Sequence, residues 1–191
     1  MGWGLTIFRW VGDSLIAHAR NVCLGKFLES ECTEILFLDS DVSCGPGVFT
    51  RMMTHRVDMV AGVYRVKLDE ERYPVMPLPE AELREDARTG LMEVACVPFG
   101  FVRMTRELVE AYVAKDPDAY FETHLAPGLK VPFLFNTEVI DHIFWGEDFY
   151  FCRRLREHGW RIFVDHELVL HHSGYGKRFT GCLGEFIGRP Q

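Results

Sequence analysis

Asp39 and Asp41 stand two residues apart, directly after the apolar run Ile35-Leu36-Phe37-Leu38. Carboxylates at that spacing can share one divalent cation and a ribose hydroxyl, and hard cations of this kind take oxygen ligands. Further along, Glu147 and Asp148 follow Phe144-Trp145-Gly146, and His171-His172 follows the short apolar run Leu168-Val169-Leu170. A carboxylate in reach of a hydroxyl can act as general base. A neutral imidazole beside a carboxylate suits Mn²⁺ or Mg²⁺ and tilts the choice towards Mn²⁺. Lys177 and Arg178, in a Gly-rich stretch near the end, supply cations that could fold over a diphosphate. Together these groups suit a nucleoside-diphosphate substrate.

Each group also has a plainer reading. Asp after a strand commonly bonds the backbone of a turn. Asp116-Pro117-Asp118 repeats the spacing with no strand before it, so position has to do the selecting. Acidic residues at a helix start are favoured by the macrodipole and by the unsatisfied amide donors there. Of two adjacent histidines in extended chain, only one can face a given site. Lys177 and Arg178 equally suit a solvated chain end.

The elements that would position them follow from pattern. Asp13 and Ser14 are placed to cap a helix running to Glu29, with apolar residues at helical spacing. The run 35–38 reads as a strand covered on both faces, delivering its carboxylates to the carboxyl edge of a sheet, where open α/β folds bind ligands. A short helix over 48–54 and a β-rich segment over 57–64 come next, giving the α-β-α-β order of a mainly parallel sheet. Residues 67–90, rich in charge and proline, read as a solvent-exposed excursion. Residues 92–101 return to strand composition, interrupted by Pro98 and Gly100. Thr105 caps a helix to about Lys115, and 116–145 reads as a long irregular loop. A helix from Glu147 ends at Gly159, strands occupy 160–164 and 168–170, and a Gly-rich tail begins at His171.

The 191 residues suit one domain, and 48% hydrophobic with 26% charged residues is ordinary for a globular protein. A formal charge of −7 argues against a nucleic-acid partner. No apolar stretch reaches the length of a membrane span, and the opening residues lack the pattern of an export signal. The six cysteines form no Cys-x-x-Cys pair, and several lie in apolar segments, which reads as reduced thiols of a cytoplasmic protein.

In chain order, Ala17-His18-Ala19-Arg20-Asn21, Phe37-Leu38-Asp39-Ser40-Asp41-Val42, Ala61-Gly62-Val63-Tyr64, Val97-Pro98-Phe99-Gly100-Phe101-Val102, Gly146-Glu147-Asp148-Phe149-Tyr150-Phe151-Cys152-Arg153-Arg154 and His172-Ser173-Gly174 resemble the GT-A class of nucleotide-sugar-dependent glycosyltransferases, nearest to its family 2 group. The resemblance runs from about residue 13 to the end. It implies an α/β, Rossmann-like, mainly parallel sheet flanked by helices in three layers, with a short antiparallel part, over a single domain 1–191. Segments 67–90 and 116–145 would then face the acceptor.

It further implies Asp41 and His172 as ligands of Mn²⁺ or Mg²⁺, Asp39 near the ribose or a metal-bound water, and Arg20 against the nucleotide. Gly100 would let the sugar approach the backbone. Trp145 would floor the sugar pocket, Glu147 would contact donor or acceptor, and Asp148 would be the base of an inverting transfer to a glycan, protein or small-molecule hydroxyl. Typical members place a strand, a helix and a second strand ahead of the counterpart of Arg20. Here about a dozen residues precede that helix, with one candidate strand at 5–10. The front is therefore expected to be shortened, and a partner subunit in a homo-oligomer could replace it. A non-catalytic domain that keeps the fold and binds a nucleotide, sugar or protein is the alternative from another class.

Overall fold

The computed structural model describes residues 4–79 and 85–188. In chain order the elements are α1 (Ile16–Glu29), β1 (Glu34–Leu38), β2 (Val42–Cys44), α2 (Val48–Thr54), β3 (Met59–Ala61), β4 (Glu85–Asp86), β5 (Leu91–Val94), β6 (Phe101–Thr105), α3 (Arg106–Val113), β7 (Tyr120–Phe121), β8 (Val131–Pro132), β9 (Glu138–Ile140), β10 (Ile143–Trp145), α4 (Glu147–Glu157), β11 (Ile162–Val164), β12 (Val169–Gly174), β13 (Lys177–Cys182) and α5 (Leu183–Ile187).

The main sheet has the order β1-β6-β3-β11-β5-β4. Among the described residues only β3 and β11 pair in parallel; β6 runs against both β1 and β3, and β5 runs against both β11 and β4. The α/β class therefore stands, and the mainly parallel sheet is corrected to a mixed, mostly antiparallel one. The direction of β6 decides this. The segment 92–101, of strand composition interrupted by Pro98 and Gly100, spans the end of one strand and the start of the next: β5 stops at Val94, and β6 starts only after Pro98 and Gly100. β6 then inserts between β1 and β3 in the opposite sense.

Alternation along the central strands divides the core. Met59, Ala61, Val102, Met104, Ile162 and Val164 face a layer built from α1, α3 and α4, whose Leu24, Leu108 and Phe151 are buried with them. Val60, Phe101 and Phe163 face the other way, onto α2 through Met52 and onto β12 through Leu170. The expectation that 35–38 is covered on both faces fails at its end. β1 lies at the sheet edge, and Leu38 is 54% exposed.

The helix termini show why these elements hold. Asp13 does not cap α1 as expected from the sequence. Leu15 occupies that position, while Asp13 accepts from the Leu15 amide and the Trp10 indole and meets His18. His18 in turn reaches the Thr123 hydroxyl at 2.9 Å, so this network ties residues 10–18 to the chain after β7. The Arg106 guanidinium closes the end of α1, donating to the Phe27 carbonyl in its last turn and to the Ser30 and Cys32 carbonyls just beyond it. Thr105 caps α3 by accepting from the Leu108 amide, as its sequence position suggests.

Segment 116–145, read as irregular, contains the ladders β7–β8 and β9–β10. Asn21 on α1 anchors it: its amide donates to the Phe135 carbonyl and accepts from the Leu134 and Phe135 amides. Residues 5–10 carry no strand, and part of the excursion 67–90 lies outside the described residues. No helix among the described residues is long and apolar enough to cross a membrane.

One ion network fixes the layer that carries β12. Asp165, with a side chain fully shielded from solvent, accepts from Arg51 Nε at 2.6 Å and Nη2 at 2.9 Å, and from His55 Nε2 at 2.8 Å. It thereby binds α2 to the β11–β12 connection. Burial pushes the Asp165 carboxyl up, but the Arg51 and His55 bonds outweigh it and hold it below its ordinary 3.8. A carboxyl depressed on folding stabilises the native state fully above its unfolded value, and that contribution disappears as pH falls through the folded value. Chemical denaturation from pH 6 down to pH 2 is therefore expected to show an acid-side loss of stability that Asp165→Asn flattens. An unchanged acid limb in that variant would contradict the assignment.

Candidate functional site

Two backbone features bring Asp41 to His172. Asp39–Val42 closes a tight turn, with the Val42 amide on the Asp39 carbonyl at 3.0 Å. β2 then pairs with β12 in the register Val42↔His172, and the Ser173 amide extends that ladder to the Asp41 carbonyl at 2.7 Å. The side chains consequently meet, with His172 Nε2 3.4 Å from Asp41 Oδ2. His172 Nδ1 lies 2.9 Å from the Arg65 carbonyl, which can only accept. Nδ1 is thereby the donor to that carbonyl, and Nε2 is the nitrogen turned towards the carboxylate. His171 points elsewhere, to the Thr180 hydroxyl at 2.9 Å.

The second half of the site is assembled on Arg20. This side chain, only 7% exposed, donates to Glu147 Oε1 at 2.6 Å and lies 3.4 Å from Asp39 Oδ2. Its guanidinium stacks 5.6 Å from the Phe99 ring centroid and 5.8 Å from that of Phe135, and its Nε has no partner among the described residues. Helix α4 starts at Glu147 with Gly146 as a cap that contributes no side chain, which leaves both acidic groups at the open end. Burial pushes the Asp148 carboxyl above its usual range and the Glu147 charge adds to this, against the Phe149 amide and Arg20. Asp39 is raised as well, by burial and despite Arg20, with Asp41 and Glu147 contributing. Asp41 is lowered, because bonding and charge from Lys67, with charge from His172, overcome its burial.

Tyr64 joins the halves. Its ring packs edge-on to His172, with centroids 4.7 Å apart, and its hydroxyl accepts from the Gly100 amide at 3.2 Å. The Gly100 carbonyl in turn accepts from the Asp39 amide at 3.0 Å. Burial raises the Tyr64 phenol, and the Asp39 and Asp148 charges both act on it, so the two carboxylates share its surroundings. A methyl group on Gly100 would collide with the Tyr64 hydroxyl and lie 2.7 Å from two ring carbons. Gly100→Ala is therefore expected to displace Tyr64, destabilise the chain by about 1–3 kcal/mol and disturb His172. Denaturant titration, with ligand binding at the site, would read both effects.

Asp39, Asp41, Arg20, Glu147, Gly100 and His172 are thus linked through shared contacts, and Asp148, next to Glu147 in the chain, is joined to Arg20 and Tyr64 through charge. Trp145 lies just ahead of α4, half-buried, with Arg153 stacked 4.9 Å from its ring and its indole N–H unpartnered among the described residues. Lys177 and Arg178 depart from expectation. They sit in β13, paired with β12, rather than in a free tail, and Lys177 reaches Asp69 at 3.1 Å. The Tyr175–Gly176 turn, with φ of 53° and 71°, closes that hairpin. Sequence reasoning missed Lys67, whose ammonium is ion-paired with Asp41. It stands at the start of the charged excursion, and nothing local distinguishes it from its neighbours.

Among the described residues, no three or more His, Cys, Asp or Glu side chains gather as a metal site. Asp41 and His172 offer one oxygen and one nitrogen, a donor set that fits Mn²⁺ or Mg²⁺ when substrate oxygens and water complete the shell. The chain matches no family model and no curated protein. Its fold is similar to the crystal structure of A197 from STIV, with a TM-score of 0.55 and 20% identity over 88% of this chain and 76% of that one. At that identity, the likeness extends to the fold.

Proposed function

We propose that this protein is a GT-A-like glycosyltransferase that moves a sugar from a nucleoside-diphosphate sugar to a hydroxyl acceptor with inversion, using Mn²⁺ or Mg²⁺. The observation that carries this reading is the meeting of His172 Nε2 with Asp41 at 3.4 Å, the ring oriented by its Nδ1 contact with the Arg65 carbonyl so that Nε2 is the nitrogen at the carboxylate. Asp41 and His172 would hold the ion, which when bound supplies positive charge against the departing nucleoside diphosphate. Arg20 keeps Glu147 and Asp39 in fixed positions beside it, leaving Asp39 for the ribose and Glu147 for the sugar or acceptor. Asp148, at the rigid start of α4 and more basic than an ordinary Asp, takes the proton from the acceptor hydroxyl. Gly100 is buried and its open face is taken by the Tyr64 ring, so it makes room for Tyr64 rather than for the sugar, and Trp145 offers an aromatic floor.

A second reading, a non-catalytic nucleotide- or sugar-binding domain, is favoured by Lys67, which already neutralises Asp41. Calorimetry with UDP, GDP and their sugars, in Mn²⁺ and in chelator, paired with a donor-hydrolysis assay, separates the two. Ion-dependent donor binding with hydrolysis is expected. Binding without hydrolysis would favour the second reading, and no nucleotide binding at all would overturn the first.

A further inference from the structure

Two separate parts of the chain are shaped around the Lys67 ammonium. The first is the loop after β3, where the Val66 amide bonds the Arg72 carbonyl at 3.0 Å and the Leu68 amide bonds the Val66 carbonyl at 2.8 Å. Arg65 braces the same loop through the Leu68 and Asp69 carbonyls, and Lys177 ties Asp69 to β13. The second is β12. The Lys67 stem crosses Gly174 so closely that a methyl group there would fall 2.6 Å from Cδ, 3.0 Å from Cε and 3.4 Å from Nζ. Glycine at 174 opens the channel through which the ammonium reaches Asp41.

The atom it reaches is Asp41 Oδ2, the same oxygen that His172 Nε2 approaches. An ammonium and a divalent ion placed between these two groups would occupy the same space and repel each other. We infer that Lys67 is a resident cation that competes with the divalent ion for Asp41, so that ion binding requires Lys67 to leave the carboxylate. The chain thus keeps Asp41 compensated in the absence of the ion and sets the ion affinity through one side chain. The inference rests on the proposed function only in taking Asp41 and His172 as the ion's ligands.

The test is calorimetric titration of MnCl₂ into the nucleotide-free full chain. Lys67→Met removes the competing charge, and Gly174→Ala pushes the stem aside while leaving the charge on the chain. Both are expected to bind Mn²⁺ more tightly than the unsubstituted protein, Lys67→Met by about tenfold or more, and Asp41→Asn is expected to lose binding. Melting curves give a second readout, since Mn²⁺ is expected to raise the melting temperature of Lys67→Met more than that of the parent. Equal or weaker Mn²⁺ binding by Lys67→Met, with the parent binding measurably, would overturn the inference and leave the glycosyltransferase reading standing. No Mn²⁺ binding by any variant would overturn the ion site and this inference together, and nucleotide-sugar binding in chelator then decides whether the wider reading falls too.

Discussion

Asp148→Asn is expected to lower sugar transfer by about 10²–10⁴-fold, the span typical of a lost general base, while leaving donor affinity nearly unchanged. The substitution keeps shape and keeps an oxygen for the Phe149 amide, which Asp148 Oδ1 accepts at 2.8 Å. It removes only the ability to take a proton. The pH profile provides the discriminating readout. Because burial and Glu147 raise the Asp148 carboxyl, the parent protein is expected to lose turnover on acidification at a higher pH than an ordinary Asp would impose. The residual activity of Asp148→Asn should lack that acid limb. Stability moves the other way: an ionised carboxylate disfavoured in the fold costs stability at neutral pH, so the variant should melt at or above the parent temperature. Near-normal turnover would show that Asp148 serves only as an acidic helix start.

Arg20→Met is expected to destabilise the chain by about 3–5 kcal/mol, the cost of leaving partly buried charges without their partner, and to abolish donor binding. Arg20 is the cation that Glu147 and Asp39 share, and it is packed against Phe99 and Phe135. Methionine replaces the packing and not the charge. Urea denaturation of the single variant, of Glu147→Gln and of the double variant forms a cycle that isolates the pair. The account expects the second change to recover part of the loss in the Arg20→Met background. A loss below about 1 kcal/mol for Arg20→Met would place the pair among weak surface contacts and remove Arg20 as the organiser of the site.

The local layout of the site was legible in the sequence, and its long-range assembly was not. The apolar run ending in Asp39 and Asp41 and the helix opening with Glu147 and Asp148 occupy the kinds of element their patterns suggest, because each is set by a few adjacent residues; the histidine pair, expected to follow a strand at the start of a tail, lies inside β12 instead. Strand direction is set elsewhere. β6 meets β1 through Phe37↔Val102 and β3 through Val60↔Arg103, pairings that no short window encodes. The C-terminal hairpin was hidden because its turn places Tyr175, a residue that rarely adopts positive φ, where Asn or Gly would have announced it. Lys67 and Tyr64 were invisible as site residues for the same reason that β6 was misjudged. Their partners, Asp41, Gly100, His172 and Gly174, lie far away in the chain.

The most direct test is a crystal structure of the chain with a nucleoside diphosphate and Mn²⁺. The account expects the ion on Asp41 and His172 Nε2, diphosphate oxygens completing its shell, the ribose beside Asp39 and the Lys67 ammonium moved off Asp41. A nucleotide bound away from these residues, or an ion held without either Asp41 or His172, would contradict it.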